Sequence, residues 1–127
     1  MQLTKKVGAP ARTIAQFLAG SQRYDGNSGR YLVTGDASSR TREGLVVIDE
    51  ASMLTEDMLA AICDALITPD RLILVGDPRQ LPPIGAGRPF VDLEHAARAG
   101  HDGTWPKVAP GWACLTVLRR QRGRVRD

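Results

Sequence analysis

The sequence predicts an α/β fold in which helices flank a parallel sheet. Two continuous apolar runs support this prediction, because Leu45 to Ile48 and Leu72 to Val75 are rich in the aliphatic residues of strands that are buried on both faces of a parallel sheet. Between them, Thr55 can cap a helix whose apolar residues continue at helical spacing as far as Leu66. A strand, a helix and a strand joined by short connections indicate a right-handed parallel crossover.

Turn residues and helical spacing predict the elements around this unit. Residues 10 to 19 are expected to form a short helix, which Gly20 can close in a left-handed conformation. Residues 21 to 43 are mostly Gly, Ser, Asp, Asn and Arg, so we expect a surface excursion with one extended segment. Two further elements are expected later in the chain: a helix over residues 90 to 99 that closes at Gly100, and a strand over residues 113 to 118.

Composition and charge limit the class of protein. The chain has 127 residues, of which 43% are hydrophobic and 24% charged, as in an ordinary globular unit. A net charge of +3 and a pI of about 9.2 permit a polyanionic partner such as nucleic acid. The two cysteines, Cys63 and Cys114, are too few for a secreted disulfide scaffold. Since there is also no signal-like start and no bilayer-length apolar run, we expect a cytoplasmic protein without membrane association.

Acidic residues follow both apolar runs. Asp49 and Glu50 come directly after the first run, and Asp77 follows the second. Ligands of parallel α/β sheets bind outside the carboxyl ends of the strands. Successive residues of an extended chain point to opposite sides, so one carboxylate can hold Mg²⁺ through its water shell while the other polarises an attacking water. This is the Walker B arrangement, although a buried strand that leaves the core through acidic surface residues accounts equally well for the bare pattern.

Two longer motifs make this pattern specific. Residues 47–54 read Val-Ile-Asp-Glu-Ala-Ser-Met-Leu, and residues 74–87 read Leu-Val-Gly-Asp-Pro-Arg-Gln-Leu-Pro-Pro-Ile-Gly-Ala-Gly. Together they resemble two consecutive motifs of superfamily 1 DNA helicases of the RecD-like type. The resemblance implies a partial RecA-like P-loop NTPase domain that uses ATP and Mg²⁺. It makes Asp49 the magnesium ligand and Glu50 a catalytic residue.

The resemblance assigns two more residues to the nucleotide. In this family the second motif places a glutamine against the terminal phosphate and links it to the DNA groove, which implies that role for Gln80; a neutral amide can donate to a phosphate oxygen and accept from a water. Residues 115–121, Leu-Thr-Val-Leu-Arg-Arg-Gln, resemble the helicase motif that ends in Arg-Gln. Its arginine contacts the γ-phosphate, so Arg120 is the matching position. The alternative is a merely solvated run, because four other arginines surround Arg120.

One segment near the start resembles a DNA-contact motif. Arg12-Thr13-Ile14-Ala15 lies where RecD-like helicases carry a Thr-Ile-His or similar sequence, which makes Thr13 a candidate contact to single-stranded DNA. Ala15 replaces the usual histidine and so removes a hydrogen-bonding and stacking group. An amphipathic helix without a ligand accounts for these residues almost as well.

The 127 residues contain no Gly-x-x-x-x-Gly-Lys-Ser/Thr sequence, the P-loop that cradles the nucleotide phosphates. We therefore interpret residues 1–127 as part of one helicase motor domain, from the Walker B motif to the Arg-Gln motif, without the P-loop or the second motor domain. Without a P-loop strand beside it, the strand over Leu45 to Ile48 would present an unpaired apolar edge. We expect the isolated chain to be marginally stable and to hydrolyse ATP negligibly.

The leading hypothesis is a fragment of a RecD-like helicase that couples ATP hydrolysis to DNA unwinding. The partners that the resemblance implies are single-stranded DNA or a duplex–single-strand junction, within a larger helicase or recombination complex. Two alternatives stay open: the helicase portion of a conjugative relaxase, and a non-catalytic nucleic-acid-binding remnant. A stand-alone metal-dependent hydrolase is disfavoured, because no further carboxylate or histidine cluster completes a metal cage.

Overall fold

The structure, a computed structural model, describes residues 11–80, 85–102 and 108–115. They fall into two compact units, one ending at Val91 and the other starting at Asp92. The helices and strands, in chain order, are α1 (Ile14–Gly20), β1 (Tyr24–Asp25), β2 (Arg30–Tyr31), β3 (Thr41–Arg42), β4 (Leu45–Ile48), α2 (Glu56–Ala65), β5 (Leu66–Ile67), β6 (Arg71–Leu74), α3 (Pro89–Ala97), β7 (Val108–Ala109) and β8 (Trp112–Ala113).

The predicted α/β crossover is present in the first unit. Strands β4 and β6 pair in parallel, with Val47 opposite Ile73, and α2 connects them together with β5. The hydroxyl of Thr55 accepts a hydrogen bond from the amide of Met58 and caps α2, as predicted. Leu66 was expected in this helix but begins β5 instead, because its backbone is extended and it pairs with Thr41 of β3.

The hydrophobic core joins α1 and α2 to one face of the β4–β6 pair. Val46 and Leu74 pack against it from the strands. Its buried members are Leu18, Ile48, Ala51, Leu54, Ala61, Ile62, Ala65, Leu66 and Phe90.

The opposite face of the pair carries Leu45, Val47 and Ile73, and Val75 directly follows β6. We call these four residues the open sheet face. Their exposed fractions are 57%, 43%, 42% and 44%. The prediction that both strands are buried on two faces is therefore wrong for this chain, since no described element packs over these side chains. Within the described residues β4 also pairs on one edge alone.

The segment over residues 21 to 43 was expected to be a surface excursion, and this is only partly correct. Strands β1 and β2 form an antiparallel hairpin, and β3 pairs in parallel with β5. Arg23 has no exposed surface at all. The segment contributes to the buried scaffold because its contacts are made with distant parts of the chain, which local sequence patterns do not report.

Turn residues predicted some of the helix ends correctly but not all of them. Helix α1 begins at Ile14 rather than at residue 10, which lies outside the described residues. Gly20 ends α1 without a left-handed backbone, and Gln22 takes that conformation instead, with φ of 61°. Helix α3 was predicted within a few residues of its observed bounds, and Gly100 beyond it has the expected positive φ of 87°.

In the second unit, Trp112 links β8 to α3. Its indole Nε1 donates to Oε1 of Glu94 over 3.1 Å, and its ring centroid lies 5.1 Å from that of His101. A strand was predicted over residues 113 to 118, but only Ala113 of this range lies in a strand, β8. Cys114 and Leu115 are not in a strand, and residues 116 to 118 lie outside the described part of the chain. Within the described residues no helix is long and apolar enough to cross a membrane.

Candidate functional site

The chain segments that leave β4 and β6 are hydrogen-bonded to each other at the carboxyl edge of the strand pair. The amide of Val75 donates to the carbonyl of Ile48 over 2.9 Å, and the amide of Ala51 donates back to the carbonyl of Val75 over 2.8 Å. Asp49 and Glu50 lie between these two hydrogen bonds, and both are exposed. The acidic residues therefore occur at the edge where parallel α/β proteins bind ligands.

The backbone at these carboxylates departs from the extended geometry that the sequence suggested. Strand β4 ends at Ile48, and Glu50 is left-handed, with φ of 55° and ψ of 37°. Such a conformation is uncommon for a residue with a Cβ and is concentrated at functional sites. A sharp turn, rather than the alternation of an extended strand, thus sets the direction of the Glu50 side chain.

The Asp49 carboxylate has one oxygen that is engaged and one that is open. Its Oδ1 accepts a hydrogen bond from the amide of Glu50 over 2.9 Å, whereas Oδ2 accepts none from the described residues. An exposed carboxylate with an open oxygen suits a Mg²⁺ ion that keeps most of its waters and takes further ligands from nucleotide phosphates. No group of three or more His, Cys, Asp or Glu side chains in the described residues could form an all-protein metal cage. The donor set is compatible with Mg²⁺ held in this way.

A side-chain hydrogen bond connects the two motifs. After Glu50 the chain forms a 3-10 turn over Ala51–Met53, in which Ser52 is only 6% exposed. The Ser52 hydroxyl donates to Oε1 of Gln80 over 3.0 Å. With its carbonyl oxygen engaged in this way, the exposed Gln80 amide keeps its Nε2 hydrogens for another acceptor.

Gly76 allows the two motifs to approach this closely. A Cβ atom at this position would lie 2.8 Å from the backbone nitrogen of Ser52 and 3.1 Å from Cζ of Phe90. Backbone and ring occupy the space that any side chain would need. The glycine between the strand and Asp77 is therefore required by packing.

Asp77 shapes the loop that carries Gln80. Its Oδ1 accepts from the amide of Arg79 over 2.9 Å and from Arg79 Nε over 3.2 Å, and its carbonyl accepts from the amide of Gln80 over 3.1 Å. The Arg79 backbone amide, followed by the Arg79 side chain, lowers the pKa of Asp77 below its usual value. Asp77 is thus held as a carboxylate that orders the turn.

The remaining candidates lie apart from this edge or outside the described residues. Thr13 caps α1: its hydroxyl accepts from the amide of Gln16 over 3.1 Å, and Gln16 Oε1 accepts from the amide of Thr13 over 3.0 Å. This capping box gives Thr13 a structural role, while its contact with DNA stays a prediction. Arg120 lies outside the described residues.

Ser52 was not among the residues predicted from the sequence, although it lies inside the first motif. The signal that could have found it is a small hydroxyl residue that closely follows the acidic pair, among residues that are otherwise apolar. Its partner is 28 positions away in the sequence. No local pattern identifies such a pair.

Comparison with known proteins agrees with the motifs. Residues 1–102 match the family model described as AAA domain. The chain is 39% identical over 56 residues to the RecBCD enzyme subunit RecD of Mycolicibacterium smegmatis, a match that covers 44% of this chain and 10% of that protein. It is 40% identical over 53 residues to the ATP-dependent RecD2 DNA helicase of Deinococcus radiodurans, covering 42% of this chain and 7% of that protein.

A third relative is not a named helicase. An uncharacterised protein of Methanocaldococcus jannaschii is 30% identical over 91 residues, which is 67% of this chain and 8% of that protein. The matches thus extend over a tenth or less of the length of these curated relatives. Since the family model covers most of the sequence, the chain belongs to the AAA domain family, as a relative of the RecD helicases.

Proposed function

We propose that this chain supplies the magnesium-binding, water-activating and phosphate-sensing residues of an ATP-dependent DNA helicase motor of the RecD-like type. The observation that supports the proposal most strongly is the meeting of Asp49, Glu50 and Gln80 at one strand edge. Hydrogen bonds between the two strand ends hold the acidic pair there, and the Ser52 hydroxyl holds Gln80. In α/β proteins this edge is where nucleotides bind.

The three side chains have distinct tasks in this proposal. When bound, Mg²⁺ neutralises phosphate charge and orients the terminal phosphoryl group of ATP. Asp49 holds the ion's water shell through its open Oδ2. Glu50 accepts a proton from the attacking water, and the Nε2 hydrogens of Gln80 donate to an oxygen of the terminal phosphate. Each task needs an exposed polar group, and all three residues are exposed.

The proposal also covers residues and partners away from this strand edge. We propose Arg120 as the arginine that contacts the γ-phosphate, Thr13 as a contact to single-stranded DNA, and the cytoplasm as the location. The working substrate is single-stranded DNA or its junction with a duplex, within a larger helicase or recombination complex. Because the 127 residues contain no P-loop sequence, the nucleotide has to be gripped from outside them, and the chain alone should not turn over ATP.

The test uses the polypeptide encoded by the whole open reading frame that contains these 127 residues, which we call the complete-reading-frame polypeptide. It is assayed for DNA-stimulated ATP hydrolysis while Mg²⁺ is titrated. We expect Asp49→Asn to lower the maximal rate by about 100-fold or more and to raise the Mg²⁺ concentration needed for half-maximal rate. Asp57→Asn, an exposed change of the same kind in the first turn of α2, serves as the control. An unchanged Mg²⁺ dependence in Asp49→Asn would overturn the proposal.

A further inference from the structure

We infer that Ser52 is a positioning residue, which sets the orientation of the Gln80 amide and links it to the turn that carries Glu50. The inference rests on the proposed function, because it assigns Ser52 a part in phosphate sensing. It does not place Ser52 in contact with the nucleotide.

Burial and geometry point to this role. Ser52 is 6% exposed, yet its hydroxyl reaches the exposed side chain of Gln80 with a hydrogen bond of 3.0 Å. A buried hydroxyl needs a partner, because leaving it unsatisfied costs free energy. The described residues contain no buried side-chain polar atom without a partner. Ser52 therefore depends on Gln80 as its acceptor.

The surrounding backbone gives Ser52 little freedom to move. Gly76 lies so close that a single added carbon would approach the Ser52 nitrogen to 2.8 Å. The preceding residue, Ala51, is fixed by its hydrogen bond to Val75, and the following residue, Met53, donates to the carbonyl of Glu50 over 3.0 Å. The hydroxyl thus projects from a rigid support.

The direction of the hydrogen bond decides what Gln80 can offer a nucleotide. All oxygens of a terminal phosphate are acceptors, so a glutamine binds one only through its NH₂ group. In the observed arrangement the hydroxyl of Ser52 donates to the carbonyl oxygen of the Gln80 side chain. The NH₂ group of the amide is therefore available to donate to a phosphate oxygen. If the amide were rotated by 180°, its carbonyl oxygen would face the phosphate instead and repel it.

The same contact joins phosphate sensing to water activation. Ser52 lies two residues after Glu50, inside one tight turn in which the amide of Met53 donates to the carbonyl of Glu50 and the amide of Leu54 donates to the carbonyl of Ala51. A shift of Gln80 when the terminal phosphate leaves would pull on this turn. Ser52 would then transmit this shift between the two motifs.

A double-mutant cycle tests the inference in the complete-reading-frame polypeptide. We expect Ser52→Ala to lower kcat for ATP hydrolysis by about tenfold, while KM for ATP changes by less than about twofold. In a Gln80→Ala background the same substitution should cause no further loss, because it acts through an amide that is no longer present. Ser52→Thr, which retains the hydroxyl, should recover part of kcat, and Ser28→Ala, at an exposed hairpin turn, is the control.

Thermal unfolding of each variant accompanies the kinetics. A purely structural role would lower kcat by the same factor in the wild-type and Gln80→Ala backgrounds, and that outcome would contradict the inference. If Ser52→Ala does not fold, Gln80→Glu replaces it: this side chain still accepts from Ser52 but has no hydrogen to donate, so kcat should fall as far as in Gln80→Ala. A wild-type kcat in Gln80→Glu would also contradict the inference.

The Asp49→Asn variant separates the two proposals. If it abolishes turnover while Ser52→Ala does not lower kcat, the inference about Ser52 fails alone. If Asp49→Asn leaves turnover and its Mg²⁺ dependence intact, or if the wild-type polypeptide hydrolyses no ATP, the proposed function fails and this inference fails with it.

Discussion

The buried guanidinium of Arg23 donates from Nε to Oδ2 of Asp64 over 2.8 Å. The same carboxylate oxygen accepts from the backbone amides of Thr34 and Gly35, over 2.8 Å and 3.1 Å. Arg40 approaches the other oxygen to 3.3 Å. One carboxylate near the end of α2 therefore fixes the segment that precedes β3.

Asp64 makes the stability of the chain depend on pH in the acid range. The Arg23 hydrogen bond, followed by those from the Gly35 and Thr34 amides, lowers the pKa of Asp64 well below the usual 3.8. A depressed pKa in the folded state contributes stability that is fully present above the unfolded-state pKa and is lost as the pH falls through the folded-state pKa. We expect the urea concentration at the unfolding midpoint of the wild-type chain to decrease as the pH is lowered below about 4.

The matched variants for this measurement are Asp64→Asn and Glu43→Gln, the latter an exposed change of the same kind. Asp64→Asn should lower the midpoint at neutral pH and flatten its decline in acid, so that its difference from the wild type shrinks below about pH 4. A decline as steep in Asp64→Asn as in the wild type would show that Asp64 is not the group responsible.

The same contacts show which parts of the fold sequence patterns could predict. Strand β4 and the Thr55 cap of α2 were predicted because a run of apolar residues and a capping residue are local signals. The Arg23–Asp64 pair spans 41 positions, and β3 pairs with β5 across the whole of α2. A polar, glycine-rich segment looks like a surface loop when the distant partners of its arginine are unknown.

The candidate site divides in the same way. Asp49, Glu50 and Gln80 were named from motif resemblance, and the physical argument for the acidic pair was the end of a buried strand. The left-handed backbone of Glu50 and the hydroxyl of Ser52 depend on how two distant turns pack. The exposure of the open sheet face was not predicted, because an apolar run shows that a strand can be buried on both faces but not whether another element of the chain packs over it.

Substitution of Gly76 tests the close approach of the two motifs. In Gly76→Ala the new Cβ would approach the Ser52 backbone nitrogen to 2.8 Å, so the turn or the Phe90 ring has to move. We expect a loss of roughly 1 to 3 kcal/mol in the free energy of unfolding, measured by urea titration. The control is Gly20→Ala, because a Cβ there meets no atom within 4 Å and the glycine ends a helix.

The control should be neutral or slightly stabilising, by up to about 1 kcal/mol, since alanine restricts the unfolded chain. Gly76→Ala should also lower ATP turnover by the complete-reading-frame polypeptide, because it displaces Ser52. Equal stability of Gly76→Ala and the wild type would mean that the strand ends are not as closely packed as described.

The open sheet face predicts how the isolated 127-residue chain behaves in solution. Val47, at the centre of this face, is 43% exposed, whereas Val46 next to it packs against the core. Val47→Lys should reduce concentration-dependent aggregation, measured by light scattering, because a charge interrupts the apolar surface. Val46→Lys, the same change on the opposite face, should unfold the chain instead. Similar unfolding in both variants would place Val47 in a buried environment and contradict the description.

The arginine-rich end predicts salt-dependent binding to nucleic acid. Arg119, Arg122, Arg124 and Arg126 surround the candidate Arg120. Changing these four to Gln should weaken binding of a fluorescent single-stranded DNA to the chain at low salt. The slope of log K against log salt should become shallower by about 0.7 for each phosphate that the variant no longer neutralises. Unchanged binding and slope in the variant would exclude this segment as the region that binds DNA.

Glu50→Gln tests most directly whether this strand edge is a site of ATP hydrolysis. The complete-reading-frame polypeptide should lose about 100-fold or more of its DNA-stimulated kcat, because the amide cannot take a proton from water, while it still binds ATP. Glu43→Gln should keep the wild-type rate. Wild-type turnover in Glu50→Gln, or robust Mg²⁺-dependent turnover by the 127-residue chain alone, would contradict the account.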